Sequence, residues 1–205
     1  MGQECAAVCH WEGRSSSGRA YLEGDHLLFR GDFRLKLMLA DVKAAVAANG
    51  RLSLTMASGT AALDLGTKAE DWAQRIRNPK TLVDKLGFKP GQPVELLGGP
   101  ADPVLLAELA LAGIVVETPP APRPGATWYL LSASDPADLE RVPGVAGVLP
   151  PAGGLWIVYP KGKASPVTEA MVFAAGRGAG LTDNKTCAVS AASTALKFVR
   201  PRALR

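Results

Sequence analysis

The chain has no proline before Pro79, although it contains 16. Proline lacks a backbone donor and is excluded from paired strands and helix interiors, so the first 78 residues read as continuous regular structure and the remainder as something built differently. Histidine is scarce: His10 and His26 are the two, both in the proline-free part. A Ser–His–Asp or Cys–His arrangement would therefore need a base reaching across domains. Cys5, Cys9 and Cys187 are the three cysteines, an odd and small number that fits a reducing cytoplasm better than a disulfide framework. Long apolar runs are missing too. The longest, 103–116, is interrupted by Glu108 and falls short of the ~20 residues of a membrane helix. The start MGQECAAVCHWEG has neither a basic region nor an apolar core of signal-peptide type, and Ala6 stands where a myristoylation motif needs Ser or Thr, so neither export nor lipidation is expected. Internal repeats and low-complexity tracts are absent.

What is present is ordinary globular material. Hydrophobic residues make up 47% and charged ones 20% of 205 residues, which excludes disorder and a bare coiled coil. At about 150 residues per domain, the length suits one large domain or two small ones. The net charge of +4 hides an asymmetry. Residues 91–154 set Arg123 and Arg141 against seven acids, whereas 155–205 set eight Lys/Arg against Glu169 and Asp183. These segments face one another within one sheet or across a homodimer, two alternatives the sequence leaves open. The basic end, with Lys197, Arg200, Arg202 and Arg205, reads as a solvated tail: Phe198 is its only aromatic, and a nucleic-acid or membrane surface needs a broader basic face.

In the first part apolar and polar residues alternate, as at Leu35, Leu37, Leu39 and at Leu52, Leu54, Met56, the period of half-buried strands. Turn signals fall at Gly31-Asp32, Asn49-Gly50 and Ser58-Gly59. Seven strands are expected near 4–11, 19–23, 27–30, 33–39, 43–48, 51–57 and 60–65. A helix follows, opened by a capping box of Thr67 and Glu70 and carrying Trp72, Ala73 and Ile76 on one face, and it ends before Pro79. A seven-strand antiparallel meander followed by a Trp-bearing helix, over 4–77, resembles the pleckstrin-homology superfold, which implies an antiparallel β-barrel closed at one end by the helix. Phosphoinositide-binding members of that superfold carry a dense basic cluster in the first hairpin loop. Here Arg14 and Arg19 bracket an expected flexible loop at 15–18, and two arginines are too few for it.

The second part changes period. Short continuous apolar runs at 94–97, 114–116, 127–131 and 155–159 suit parallel strands buried on both faces. Helices lie between them, three opening with a cap and then proline (Asp102-Pro103, Asp135-Pro136, Ser165-Pro166), and Gly113 and Gly180 supply stops. The end, 185–189 and 195–200, reads as an antiparallel hairpin around 191–193. A strand, glycine loop, helix and strand first, and an antiparallel hairpin last, resemble a shortened class I methyltransferase-type Rossmann fold. More specifically GGLWIVYPKGK (153–163), GLTDNKTCAVS (180–190) and TALKFVR (194–200) resemble an uncharacterised bacterial family of small methyltransferase-like domains with no assigned reaction, a resemblance that implies a fold and not a function. The expected organisation is a pleckstrin-like barrel plus helix at 1–78, a linker at 79–91 and a Rossmann-like α/β domain at 92–205.

Ligands of open α/β sheets bind outside the carboxyl ends of the strands, where the strand order reverses. The candidates there are Gly98, Gly99, Glu117, residues 132–135, Lys161 and Lys163. Glycines let the backbone approach a nucleotide or S-adenosylmethionine, and an acid about 20 residues on accepts ribose hydroxyls. Glu117 lies nineteen residues after Gly98. The loop Gly98-Gly99-Pro100-Ala101-Asp102-Pro103 opposes this reading: it lacks G-x-G spacing, and Asp102 puts negative charge where an anion needs donors. The alternative is a tight turn with Asp102 as cap and Glu117 as a solvated strand end. Lys161 and Lys163 could hold an anion or act as an amine of shifted pKa, but at a surface strand end solvated lysines are the default reading. Cys5 and Cys9 would lie on one face of a strand, about 13 Å apart, with His10 on the other, which no single zinc spans. Cys187 reads as buried core. Trp11, Trp72, Trp128 and Trp156 read as packing residues whose indole N–H groups find backbone partners. These readings converge on a cytoplasmic binding or protein-interaction protein without a catalytic set. S-adenosylmethionine or nucleotide binding through Gly98, Gly99, Glu117 and Lys161 is the alternative.

Overall fold

The computed structural model describes residues 2–162 and 164–204; Lys163 and Arg205 lie outside them. The protein is mixed α and β with two separate sheets. It divides into two compact units at Lys80 and Thr81.

Unit 1 is a seven-stranded antiparallel sheet of β1 (Gln3–Trp11), β2 (Arg14–Leu22), β3 (His26–Arg30), β4 (Arg34–Met38), β5 (Ala44–Ala48), β6 (Arg51–Met56) and β7 (Gly59–Asp64), in the order β4-β3-β2-β1-β7-β6-β5. The expected strands are present, with one correction. The flexible loop expected at 15–18 is part of β2, because Glu12 and Gly13 both take positive φ (50° and 74°) and make a two-residue turn that pairs Trp11 with Arg14. The ladder then runs unbroken to Gln3 opposite Leu22. Asn49 and Gly50, with φ of 48° and 77°, make the expected tight hairpin.

The barrel is not closed. Strand β4 is followed by a short 3₁₀ turn, Leu39–Asp41, whose flanking backbone bonds elsewhere: Leu39 N–H to Asp25 O (2.9 Å) and Lys43 N–H to Thr55 O (2.8 Å). The turn carries the chain away from β4, so β4 and β5 remain the two edges. Helix α1 (Lys68–Arg77) packs on β5 and β6 and buries Ala69, Trp72 and Ala73 into the core of the inward faces. It lacks the expected capping box: Thr67 is already helical (φ −62°, ψ −14°) and makes no side-chain cap. The first amides are met instead by carbonyls of the preceding turn, Lys68 N–H on Leu65 and Ala69 N–H on Gly66. Trp72 Nε1 is buried with no hydrogen-bond partner among the described residues, contrary to expectation.

Unit 2 begins with a helix inside the expected linker: Thr81 and Asp84 form a reciprocal cap on α2 (Leu82–Leu86), which buries Val83 and Leu86. Its sheet has the order β12-β13-β11-β10-β8-β9, formed by β8 (Val94–Gly98), β9 (Val116–Glu117), β10 (Trp128–Ser132), β11 (Gly154–Pro160), β12 (Thr182–Ala188) and β13 (Ser193–Val199). Strands β9, β8, β10 and β11 are parallel, and the β12–β13 hairpin adds β13 antiparallel to β11. Helices α2 and α3 (Pro103–Leu111) cover one face through Val83, Leu86, Leu105 and Leu109. Helices α4 (Val142–Val148) and α5 (Glu169–Gly178) cover the other through Val142, Val145 and Val172. This is a Rossmann-like arrangement, and burial on both faces explains the unbroken apolar runs of β10 and β11.

Two local expectations need correction. The Ser165-Pro166 pair starts no helix: the Ser165 hydroxyl bonds Val167 O (2.7 Å), and Thr168 caps α5 by accepting from Met171 N–H. The strand expected at 114–116 shrinks to Val116–Glu117, because Ile114 N–H reaches back to Leu109 O to close α3 beyond Gly113.

Candidate functional site

In unit 2 the chain leaves β8 through α3 to β9 on one side and then crosses to β10 on the other, so the strand order reverses between β8 and β10. The end of β8 lies level with the end of β10, Gly98 opposite Ser132. Gly98 takes φ 88°, and a Cβ there would stand 2.3 Å from Ser132 O; a Cβ on Gly99 would stand 2.5 Å from Ser134 Oγ. Gly98 is needed there, since its Cβ would meet backbone, whereas at Gly99 a turn of the Ser134 hydroxyl would make room; both approach the protein's own surface. Gly99 N–H donates to Ser132 O (2.9 Å), and Ser132 Oγ donates to Pro100 O (2.7 Å). Beside them Asp138 accepts from the Ser134 and Asp135 amides, each at 3.0 Å.

The N-terminus of α3 opens on the same end of the sheet. Asp102 occupies it, accepting from Val104 N–H (2.9 Å) and Leu105 N–H (3.4 Å), as the Asp-Pro pair leads one to expect. Its other oxygen accepts from Ser190 Oγ (2.7 Å). Burial pushes the Asp102 carboxyl up, but bonds from Ser190, Ser193 and the two amides outweigh it and hold the group below its ordinary range. Lys161, just beyond β11, donates from Nζ to Ser190 O (2.5 Å) and from its amide to Ala192 O (2.7 Å). Lys161 and Asp102 therefore meet through the turn between β12 and β13.

Glu117 is held elsewhere. It pairs in register with Glu95, three residues before Gly98, or about 10 Å back along the strand. Glu95 is 5% exposed in its side chain and accepts from Arg123 Nε (2.9 Å) and Arg123 N–H (3.1 Å); Arg123 Nη2 also donates to Glu117. Glu117 and then Glu95 raise the Arg123 pKa further. Tyr129 OH donates to Arg123 O (2.6 Å) and pins the same loop. The structure thus joins Gly98 to Gly99 and links Lys161 to Asp102, while Glu117 belongs to a separate Glu95–Arg123–Glu117 group. Sequence reasoning placed Ser132 among the strand-end candidates but missed Arg123 and Ser190; the partners of these two lie 28 and 88 residues away, and no spacing signals them.

Unit 1 corrects one expectation. His10 needs no partner from another domain: its Nδ1 lies 2.7 Å from Ser15 Oγ and its Nε2 3.0 Å from Asp64 Oδ2. Ser15 is its direct cross-strand neighbour on the outward face. Arg51 forks onto the same carboxylate through Nε (2.5 Å) and Nη2 (3.1 Å). Arg51 and then His10 hold Asp64 down at about 2, so these four side chains form a cross-strand surface network centred on the Arg51–Asp64 pair. Cys5, Cys9 and Cys187 are free thiols. Burial raises all three, Cys9 to about 11, which suits packing rather than nucleophilic work. Among the described residues no helix is long and apolar enough to cross a membrane.

No protein-family model matches the chain, and no curated protein matches it. Among solved structures, similar folds include an O-methyltransferase from neocarzinostatin biosynthesis in complex with S-adenosyl-L-homocysteine and 1,4-dihydroxy-2-naphthoic acid, at 13% identity and TM-score 0.44, over 53% of this chain and 49% of that one. A second is an O-methyltransferase family 2 protein from Planctomyces limnophilus in complex with apigenin, at 17% identity and TM-score 0.41, over 59% of this chain and 56% of that one. The C-terminal domain of an unknown protein from Leishmania infantum matches at 7% identity and TM-score 0.33, over 38% of this chain and 80% of that one. The chain spans between about half and three fifths of the length of these two methyltransferases.

Proposed function

We propose that this chain is a non-catalytic binding or protein-interaction protein that uses a Rossmann-like domain as a scaffold. One observation carries the reading: the donors and close approaches that a nucleotide or S-adenosylmethionine would require at the β8–β10 reversal are taken by the protein itself. An anionic ligand is held by free amides at a helix N-terminus, and at α3 the Asp102 carboxylate has them. A ligand's adenosine moiety needs glycine backbone to approach, and Gly98 and Gly99 are packed on Ser132 and Ser134. The acid placed to accept ribose hydroxyls, Glu117, is engaged by Arg123. Leu111 (85% exposed) and Val115 (68%), beside the edge strand β9, are side chains of the kind that meet a protein partner. We place the protein in a reducing cytoplasm, on its free thiols, and read unit 1 as a pleckstrin-like half-barrel in a bacterial protein.

A second reading, S-adenosylmethionine or nucleotide binding at Gly98, Gly99, Glu117 and Lys161, is favoured by the reversal of strand order itself. Thermal-shift titration separates the two. A ligand of the folded state raises the melting temperature in proportion to log concentration above its Kd. The scaffold reading expects no shift with S-adenosylmethionine, S-adenosylhomocysteine, ATP or NAD. A rise that disappears in Glu117→Ala would establish the second reading.

A further inference from the structure

Three arginines of neighbouring strands in unit 1, Arg19, Arg30 and Arg34, stand side by side. Arg19 on β2 is the direct cross-strand partner of Arg30 on β3, and Arg30 is the direct partner of Arg34 on β4. Directly paired residues share a face. All three are exposed, so the outward face carries a row of guanidinium groups spanning two inter-strand spacings, about 10 Å at the backbone. Lys36, the next outward residue of β4, extends the charge along the edge strand. Opposing carboxylates are few: Glu4 lies 3.4 Å from Arg19, and Asp25 feels Lys36. Among the described residues Arg30 and Arg34 have no carboxylate within 4.0 Å. Like charges directly opposite in a sheet destabilise it, so this row costs stability in isolation.

The row is also held rigid. Gly31 and Gly18 sit where a Cβ would meet Ser17 O at 2.7 Å and Arg30 O at 2.2 Å, which locks the β3–β4 turn onto β2. The buried Ser16 Oγ accepts from Asp32 N–H (2.9 Å), and Gly31 N–H bonds Phe33 O (3.1 Å). The Arg30 guanidinium lies 5.5 Å over the Tyr21 ring, and Arg14 lies 4.9 Å over Phe33. At such distances the ring attracts the cation, which helps hold the Arg30 side chain over Tyr21 on the outward face.

We propose that the outward face of β2, β3 and β4 binds single-stranded nucleic acid, with Arg19 and Arg34 on phosphates and Arg30, backed by Tyr21, as a platform for a base. Guanidinium forks match phosphate oxygens, and bases stack on guanidinium planes. The face suits an anionic membrane less well, because Met38 is its only exposed large apolar side chain available for insertion. This inference concerns unit 1 and stands whether or not the β8–β10 crevice takes a ligand.

Fluorescence anisotropy of the full chain with a labelled oligouridylate tests it. Binding at low salt is expected, with log K falling against log salt at a slope of about −1.4, as two phosphate contacts at about −0.7 each require. Arg30→Ala and Arg34→Ala should each weaken binding roughly tenfold while leaving the melting temperature unchanged or higher, since each removes a repelling neighbour. Arg30→Lys should keep the salt slope and lose affinity, because an ammonium holds charge but offers no plane. Three results would overturn the proposal: no binding at low salt, affinity unchanged in the Arg19→Ala/Arg30→Ala/Arg34→Ala protein, or binding to phosphatidylserine vesicles in place of the oligonucleotide.

Discussion

Asp64 shows how much one carboxylate can be asked to do on an exposed sheet. It accepts two bonds from Arg51 and lies within 3.0 Å of His10, and this combination holds it at about 2, against an ordinary value of 3.8. A carboxyl depressed in the folded state contributes stability that is complete above its unfolded pKa and is lost as pH falls through the folded one. The Asp64 contribution is therefore fully present above about pH 4 and fades toward pH 2. It is small, because the pair is exposed and screened. Urea midpoints of the protein and of Arg51→Met, compared across that window, should converge as pH falls; a constant difference would contradict this. In unit 2, Glu95 is the reverse case, a carboxylate inside the sheet whose partner Arg123 comes from the loop before β10. That buried charge explains why a loop rich in proline is fixed through both its backbone and its guanidinium.

At the level of elements, alternation and turn chemistry made unit 1 legible: the seven strands follow from period two, and Asn49-Gly50 makes the turn its residues dictate. What eluded the sequence was cooperative. Ser15, Ser16 and Ser17 have little strand preference, yet the Glu12-Gly13 turn and the β1 ladder make them strand. Thr67 and Glu70 have capping-box spacing, yet the Gly66 turn supplies carbonyls first. Helix α5 shows a packing constraint equally hidden. Gly176 lies inside it, and a Cβ there would stand 2.2 Å from the Phe198 ring of β13, whereas Gly178 faces open space. Helix preference favours alanine at both by up to about 1 kcal/mol, but overpacking a fixed ring costs about 1–3 kcal/mol. Gly178→Ala should therefore raise the urea midpoint and Gly176→Ala lower it; a gain at both positions would show that α5 can move off the sheet.

For the whole molecule, the absence of proline before Pro79 coincides with a change from an open antiparallel sheet to a doubly wound mixed one. The candidate ligand cleft was less legible, since Gly98, Gly99 and Glu117 have suitable spacing along the chain but different neighbours in space. Gly98 and Gly99 meet β10, while Glu117 is drawn to Arg123 by a register only the sheet reveals. The arginine row of unit 1 was invisible for the same reason: residues 19, 30 and 34 become neighbours only when the hairpins pair. Under the proposed function, the protein's own groups occupy the crevice at the β8–β10 reversal. A crystal structure determined with saturating S-adenosylmethionine tests it most directly. No ligand is expected beyond Gly98 and Ser132, with the Asp102 carboxylate still on the Val104 amide; S-adenosylmethionine bound there, with Asp102 displaced from the α3 N-terminus, would overturn the scaffold reading.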